Sequence, residues 1–434
     1  MGLSSRNKSH ISPTRHGGFG AVFRASVLFI NFFLIIMALY QLKPASRSLI
    51  LDAHTTTVLP YVWIGSAFVL LVAVSIYHQI LKRFSRLHVV YGTCLLFIAL
   101  LVLFRLWLAL PGKVAPVAFY IFVDVLGVVL VEQFWSLTDS IHSTQEGKRW
   151  YGLVGTGGLV GGMVGGGAAA LTIEYTPLQT PDLLLIAAAI IAVIIGLTWV
   201  MAHFAMYTHT DTPVAVQTPK PTGWRVVTSS RYLILIAAVL LLAQLVSPVV
   251  EYQFLHVIEV LYPSREYRTE VLSAFFSLMG AVSIGVNLMI TPLVLRFFGV
   301  LGGLLVQPIV LATSAWGFIM HPTLIPAATM KISDRGLSYS INRASKELLY
   351  IPVDPVLIYE AKAWIDMFGY RIFKVAGSMM ILFLTQWTTL ASGTADLTLV
   401  VIAGCVAWVG VLLVLYREYQ IISVQQPVPA NGRN

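Results

Sequence analysis

Long apolar runs dominate the sequence, and they limit more than any other feature how the chain folds. Runs of spanning length occur at roughly 24–42, 59–81, 87–109, 115–139, 150–173, 182–205, 231–255, 272–295, 300–320, 324–348, 366–388 and 395–416. A helix crosses the hydrocarbon core of a bilayer with about 20 residues, and only helices or closed barrels satisfy all backbone hydrogen bonds in lipid. We therefore predict an all-α membrane protein with twelve transmembrane helices.

The scarcity of charge excludes a soluble globular fold. Of the 434 residues, only 11% are charged and 57% are hydrophobic, whereas soluble domains are about a quarter charged. The net charge of +9 is spread over the links between spans, so it predicts membrane topology and not nucleic-acid binding. The lipid bilayer is thus a predicted partner. Cys94 and Cys405 lie in apolar runs and are expected to be buried free thiols.

The basic residues collect in alternate links between the spans. One side of the membrane receives most of them, including Arg6, Lys8, Arg15, Lys82, Arg83, Arg86, Lys148, Arg149, Lys220 and Arg225. Such links usually face the cytoplasm, so both termini are predicted to be cytoplasmic. The expected location is the bacterial inner membrane, because the short N-terminal region disfavours organellar targeting.

The longest polar link follows the sixth span and divides the chain into two halves. Residues 207–230 contain Pro213, Pro219 and Pro221 and are typical of a linker. We predict an N-terminal six-helix bundle at 1–206, a cytoplasmic linker at 207–230 and a C-terminal six-helix bundle at 231–434. Two such bundles around a central cavity form the architecture of the major facilitator superfamily, although hydropathy alone also permits other twelve-span folds.

Several predicted spans carry ionisable side chains, which are costly at membrane depth and by default mark a site or a partner. Span seven has Gln244, Ser247 and Glu251 on one stripe, and span four has Asp124. Span ten is the most polar, and an arc of about 120° holds Lys331, Asp334, Arg335, Ser338, Asn342, Ser345 and Lys346. The pattern indicates a water-filled cavity with a basic C-terminal half. The alternative is a set of interhelical ion pairs with side chains that reach the interface, above all at Lys346.

Span five is rich in glycine, from Gly152 to Gly167. A phosphate-binding loop is excluded because no Lys-Ser or Lys-Thr follows the glycines and no strand precedes them. The overlapping GxxxG spacings instead predict close contact between helices. The sequence also lacks metal-binding and serine-hydrolase motifs, so we predict no catalytic residues, no metal site, no cofactor and no enzyme activity.

Two stretches resemble the ATP/ADP exchange transporters of intracellular bacteria and plastids and their shorter bacterial relatives. The first, at 119–167, includes VDVLG, a Phe-Trp pair and the glycine-rich helix. The second, at 331–378, has the core YSINRASKELLYIPVDPVLIYEAKAWID and is the more specific. A weaker match covers 230–254. The resemblance implies the facilitator fold and the exchange of ATP for ADP or a related phosphorylated solute, without ATP hydrolysis.

The family's charged transport residues have counterparts here. The resemblance assigns Glu251 in VVEYQF and Lys346 in SKELLYIP to the family's acidic and basic positions, and Asp124 stands where the family has a glutamate. In LKPASRSLIL the basic position is either Lys43 or Arg47. The complete predicted substrate-binding set is Lys43, Arg47, Asp124, Glu251, Lys331, Arg335, Lys346, Arg371 and Lys374.

We expect these residues to bind a nucleotide-like anion, because cationic groups hold phosphates by charge-assisted hydrogen bonds. Transport would proceed by alternating access. Two other functions stay open: a proton-coupled carrier or exporter of another solute, and a membrane sensor that has lost transport. The sequence does not define the oligomeric state, and a monomer is the simplest expectation.

Overall fold

The computed structural model describes residues 18–141, 144–204, 223–350, 357, 361–362, 364–387 and 394–425. The described residues are helical apart from short links, as predicted for an all-α membrane protein. The first six helices are α1 Gly18–Ala53, α2 Leu59–Leu81, α3 Arg86–Trp107, α4 Val114–Ile141, α5 Thr144–Tyr175 and α6 Leu183–His203.

The remaining helices begin with a short segment in the predicted linker. They are α7 Gly223–Thr228, α8 Arg231–Leu261, α9 Arg265–Gly285, α10 Thr291–Met320, α11 Leu324–Leu337, α12 Arg343–Leu349, α13 Tyr370–Leu382 and α14 Thr394–Gln425. The part of the predicted linker at 207–222 lies outside the described residues.

Nine helical segments of the described chain are long and apolar enough to cross a membrane. One of them, Arg265–Met320, contains 56 residues. Gly299 breaks this segment, because its φ of 64° leaves the right-handed helical region, and glycine adopts such a φ without steric cost. The break falls between the predicted spans 272–295 and 300–320. The predicted spans at 324–348 and 366–388 are not among the nine segments, and both are interrupted by π-helical turns, Ser338–Asn342 and Ile365–Gly369.

The buried apolar side chains form separate clusters in the two parts of the chain. One cluster contains Phe119, Leu126 and Ile191 and draws only on residues 28–201. Another contains Leu233 and Trp408 and draws only on residues 227–415. A third cluster joins α1, α2 and α4 to α8–α11, α13 and α14. The functional cavity lies close to this third cluster.

The glycine-rich helix α5 packs closely on α1. A side chain at Gly157 would place its Cβ 2.6 Å from the carbonyl oxygen of Phe29, and one at Gly161 would collide with the carbonyl oxygen of Phe33. On another face of α5, a Cβ at Gly166 would lie 2.8 Å from the backbone of Ser273 and Ser277 in α9. Glycine therefore permits both helix crossings.

Polar contacts between the two parts of the chain gather where the α1–α2, α5–α6 and α8–α9 links meet, which we call the sealed end. There Thr56 donates its backbone N–H to the Glu259 carboxylate at 3.0 Å. Thr180 donates its backbone N–H to Glu266 at 2.7 Å, and its hydroxyl lies 2.8 Å from that of Thr269. These contacts close one end of the interface between the halves.

Candidate functional site

A cavity of about 160 Å³ lies between the first six helices and the helices from α8 onward. Its wall contains five cationic side chains, two carboxylates and five aromatic rings. The lining residues are Tyr40, Lys43, Arg47, Trp63, Tyr120, Asp124, Gln244, Ser247, Pro248, Glu251, Phe276, Met279, Lys331, Arg335, Tyr339 and Lys374.

Helix α1 brings Lys43 and Arg47 to the same face, because residues four apart are neighbours on a helix surface. Pro44 lies between them inside the helix, where it removes one backbone hydrogen bond. The guanidinium of Arg47 donates from Nε to Oε1 of Glu251 at 3.0 Å. Arg47 also lies over the rings of Tyr120 and Phe276, at 5.4 and 5.6 Å from their centroids.

Glu251 connects the two parts of the chain. Its carboxylate binds Arg47 of α1 and also forms an ion pair with Lys331 of α11. The Lys331 side chain is 2% exposed, and removing a partner of such a buried cation is strongly destabilising. The second partner of Lys331 is Asp334, at 3.4 Å.

Asp334 lies behind the cations of α11 and is not itself on the cavity wall. Its Oδ2 accepts a hydrogen bond from the hydroxyl of Ser247 at 2.9 Å and lies 3.4 Å from Nε of Arg335. A chain of alternating charges thus runs from Arg47 through Glu251, Lys331 and Asp334 to Arg335.

Lys43 and Lys374 differ from the other cations of the cavity. Neither has a carboxylate within 4.0 Å in the described part of the chain. Lys43 lies over the ring of Tyr40, 5.2 Å from its centroid. Both ammonium groups therefore line the cavity without a direct ion pair to a described carboxylate, and Asp124 acts on both of them through a longer-range electrostatic attraction.

Asp124 lies on the part of the cavity wall that α2 and α4 form. It accepts a hydrogen bond from the hydroxyl of Ser66 at 2.8 Å. Nearby, the indole N–H of Trp63 donates to the hydroxyl of Tyr120 at 2.8 Å. These bonds order the rings and the carboxylate on the side of the cavity formed by α2 and α4.

The structure brings seven of the nine predicted substrate-binding residues to the cavity wall: Lys43, Arg47, Asp124, Glu251, Lys331, Arg335 and Lys374. Lys346 and Arg371 are not part of that wall. A helix rises 1.5 Å per residue, so Lys346 lies about 22 Å along the helix from Lys331. The π-helical turn Ser338–Asn342 also changes the rotational phase between them, which a uniform helical periodicity does not capture.

The sequence interpretation did not single out the aromatic wall. Tyr40, Trp63, Tyr120, Phe276 and Tyr339 line the cavity, but aromatic residues are so frequent in the spans that their number carries no signal. Asp334 belongs to the predicted polar arc of span ten, although it was not part of the predicted binding set. Asp334 follows Lys331 by three residues, and this spacing in the sequence already indicates an ion pair on one face of the helix.

Comparison with known proteins identifies the family of this chain. The family described as TLC ATP/ADP transporter matches residues 107–328 and 323–419. The ADP,ATP carrier protein 1 of Chlamydia muridarum is 26% identical over 302 residues, which cover 61% of this chain and 57% of the relative. The ADP,ATP carrier protein 5 of Rickettsia prowazekii is 24% identical over 375 residues, which cover 74% and 73% of the two chains. The match thus spans less than two thirds of the chlamydial relative.

Solved transporter structures share the fold. A bacterial homologue of the iron transporter ferroportin in the inward-facing state has a TM-score of 0.64 at 12% identity and covers 91% of this chain and 98% of its own. A point mutant of the nucleoside transporter NupG has a TM-score of 0.61 at 14% identity and covers 92% and 99%. These similarities confirm a multi-pass, all-helical membrane fold of the major facilitator type.

Proposed function

The chain belongs to the TLC ATP/ADP transporter family, and from this premise we propose that it carries a nucleotide or another phosphorylated anion across a membrane by alternating access. The resemblance noted in the sequence agrees with this family, which is one of transporters and not of enzymes. The charge and the cationic side chains of the cavity support a phosphorylated substrate for this chain.

The charge of the cavity supports an anionic substrate. Five cationic side chains line it, and three carboxylates compensate them: Asp124, Glu251 and the buried Asp334. Two positive charges remain in excess. Placing uncompensated charge in a site of low dielectric is costly, so a bound anion would stabilise this arrangement.

The single observation that carries the proposal is that Lys43 and Lys374 line the cavity without a direct ion pair to a described carboxylate. Because one comes from α1 and the other from α13, an anion between them would touch both parts of the chain. Phosphoryl oxygens suit such donors, since charge-assisted hydrogen bonds to phosphate are short and strong. We propose that Lys43 and Lys374 bind the phosphate groups of the substrate.

The ion pair between Arg47 and Glu251 links substrate binding to movement. It joins α1 to α8 at 3.0 Å, so it must be rearranged when the halves separate at this level. Removing one partner of a buried pair costs about 3–5 kcal/mol, and a phosphate that takes the place of the carboxylate on Arg47 would offset part of that cost. Differential binding of this kind shifts a conformational equilibrium.

The proposed architecture has twelve spans in two six-helix bundles, 1–206 and 231–434, with the linker 207–230 between them. The break at Gly299 supports two spans within Arg265–Met320. The two π-interrupted segments at 324–349 and 364–387 would supply the spans beyond the nine apolar ones. Lys331 and Arg335 of the first segment and Lys374 of the second line the cavity, where charge in a membrane protein is tolerated.

The proposed orientation places both termini in the cytoplasm of a bacterial cell, with the protein in the inner membrane. The basic links of the sequence support it. In that orientation the sealed end faces away from the cytoplasm, so the structure would represent a state closed on the outside. A monomer in the lipid bilayer is the simplest working assembly.

Exchange in proteoliposomes tests the function. The purified full-length chain is reconstituted into liposomes loaded with ADP, and uptake of labelled ATP is followed, with a known exchanger as the positive control. We expect uptake that depends on internal nucleotide and is absent from empty liposomes. No uptake of ATP, or uptake that follows a pH gradient and ignores internal nucleotide, would reject nucleotide exchange in favour of another coupled carrier.

A further inference from the structure

We propose that Asp334 is a positioning residue of the substrate site, which holds Arg335 by the Nε edge of its guanidinium and leaves the terminal nitrogens available to a phosphoryl group. The inference rests on the proposed function, because it assigns how one side chain is prepared for a phosphorylated anion. Four observations carry it: the burial of Asp334, the geometry of the Arg335 contact, the anchoring of the carboxylate and the unused donors of Arg335.

Burial separates the roles of the two residues. Asp334 is 5% exposed and does not line the cavity, whereas the Arg335 side chain is 30% exposed and does line it. The carboxylate therefore lies behind the guanidinium as seen from the cavity. A substrate in the cavity would meet Arg335 and not Asp334.

The contact between the two side chains uses one edge of the guanidinium. Nε of Arg335 lies 3.4 Å from Oδ2 of Asp334. The terminal nitrogens of Arg335 have no hydrogen bond or ion pair to another residue of the described part of the chain. A guanidinium is planar and presents its donors in a fixed fork that matches phosphate. Holding the Nε edge therefore fixes the direction in which the other edge points.

Asp334 is itself anchored from neighbouring helices. The hydroxyl of Ser247 in α8 donates to its carboxylate at 2.9 Å, and Lys331 lies 3.4 Å from the same oxygen. Its backbone carbonyl accepts a hydrogen bond from Nε2 of Gln307 in α10 at 2.9 Å, and Gln307 accepts one from Asn342. These contacts from α8, α10 and α11 limit the movement of Asp334, so the carboxylate can serve as a fixed support.

Substitution of Asp334 has different expected effects if its ion pair with Arg335 is only structural and if Asp334 positions Arg335 for the substrate. A structural pair would change the thermal stability of the unliganded protein, and its loss would add to the effect of any other substitution. Asp334 also contacts Lys331, but Lys331 keeps Glu251 as an ion-pair partner, so the proposed positioning acts on the ligand through Arg335. Removing Asp334 should therefore weaken anion binding when Arg335 is present and have no further effect when it is absent.

A double-mutant cycle on the purified full-length protein tests the proposal. The variants are Asp334→Asn, Arg335→Gln and the combination, and titration calorimetry measures the Kd of ADP and of pyrophosphate. We expect each single substitution to raise the Kd about tenfold, the scale of one charge-assisted hydrogen bond, and the double variant to match Arg335→Gln. Asp334→Glu, which keeps the charge, should recover part of the affinity. An unchanged Kd in Asp334→Asn, or additive effects in the double variant, would overturn the proposal.

Ser247→Ala keeps the test decisive if Asp334→Asn does not fold. It removes the hydroxyl that holds the carboxylate and leaves every charge in place, so the Kd should rise about threefold in the presence of Arg335 and stay unchanged in Arg335→Gln. Equal effects in both backgrounds would overturn the proposal.

The unmodified protein in the same assay separates this inference from the proposed function. Binding of ADP with additive variants would reject the role of Asp334 and keep the nucleotide site. Binding of pyrophosphate but not of ADP would reject a nucleotide as the substrate. The double-mutant cycle would then be evaluated from the Kd of pyrophosphate. Failure to bind either anion would overturn both.

Discussion

The charged residues of the cavity fall into two groups with different tasks. Arg47 and Lys331 both pair with Glu251 in the described structure, whereas Lys43 and Lys374 form no direct ion pair there. Removing one partner of a buried ion pair destabilises the unliganded protein. A cation without a direct ion pair is instead available to bind an anionic ligand. Stability and substrate affinity should therefore respond differently to substitution in the two groups.

Glu251→Gln should destabilise the unliganded protein and impair exchange. It removes the counter-ion of both Arg47 and Lys331, and loss of one partner of a buried pair costs about 3–5 kcal/mol. Thermal unfolding in detergent measures the loss. The matched control is Glu347→Gln, because Glu347 pairs with Lys362 at an exposed position where an ion pair contributes about 1 kcal/mol or less. Equal melting temperatures for the two variants would contradict the assigned role of Glu251.

Lys43→Gln and Lys374→Gln should lower substrate affinity without lowering stability. Neither lysine forms a direct ion pair in the described chain, and their attraction to Asp124 acts over a longer distance, so the unliganded melting temperature should change little. The KM for ATP in proteoliposomes should increase about tenfold, as expected for the loss of one charge-assisted hydrogen bond. Lys113→Gln is the control, since Lys113 is exposed outside the cavity. A KM unchanged by both cavity substitutions would remove the proposed phosphate site.

At the scale of the helices, proline and glycine shape the site more than helix propensity does. Pro44 in α1 and Pro248 in α8 each stand three residues before a charge of the central pair, Arg47 and Glu251. Each proline removes a backbone hydrogen bond, so both helices have a weakened turn next to the cavity. Glycines of α5 instead strengthen the packing between helices, since they allow α1 and α5 to come into backbone contact.

Gly161→Ala should destabilise the protein far more than Gly155→Ala. A Cβ at Gly161 would collide with the Phe33 carbonyl, whereas one at Gly155 meets nothing within 4 Å. Both substitutions make the same chemical change in the same helix, so alanine's better helix propensity cancels in the comparison. We expect a lower melting temperature for Gly161→Ala by several degrees, the scale of an overpacked contact. Equal melting temperatures would show that α1 and α5 do not pack as described.

At the scale of the whole molecule, the sealed end and the cavity would define one state of the proposed transport cycle. Thr180 bonds Glu266 and Thr269, and Thr56 bonds Glu259, so separation of the halves at this end must break these bonds. Hydroxyl–carboxylate bonds of this kind are of moderate strength. That strength suits an interface that opens and closes repeatedly.

A disulfide at the sealed end should stop exchange reversibly. The hydroxyl oxygens of Thr180 and Thr269 lie 2.8 Å apart, so Thr180→Cys with Thr269→Cys brings the two sulfurs within bonding reach. Oxidation should abolish ATP uptake and a reductant should restore it, while each single variant remains active. The natural cysteines, Cys94 and Cys405, are buried and unpaired, which limits side reactions. Full activity of the oxidised, cross-linked protein would show that this end need not open.

Most of the spans, the buried carboxylates and the family were predictable from the sequence alone, whereas the count of twelve spans stays a prediction. Apolar length and the cost of charge in lipid are local properties, so runs such as 231–255 and residues such as Glu251 stand out without knowledge of their neighbours. The stripe of Gln244, Ser247 and Glu251 follows from helical periodicity, and all three residues line the cavity.

Only the tertiary structure decided which charges meet. Arg47 and Glu251 are 204 residues apart in the sequence, and no periodicity sets how two distant helices are rotated about their axes. The π-helical turn at Ser338–Asn342 lies between Lys331 and Lys346, which are about 22 Å apart along the helix, and only Lys331 lines the cavity. The sequence determined that charges lie in the membrane because burial energy is a property of each residue, whereas their pairing depends on packing that joins distant segments.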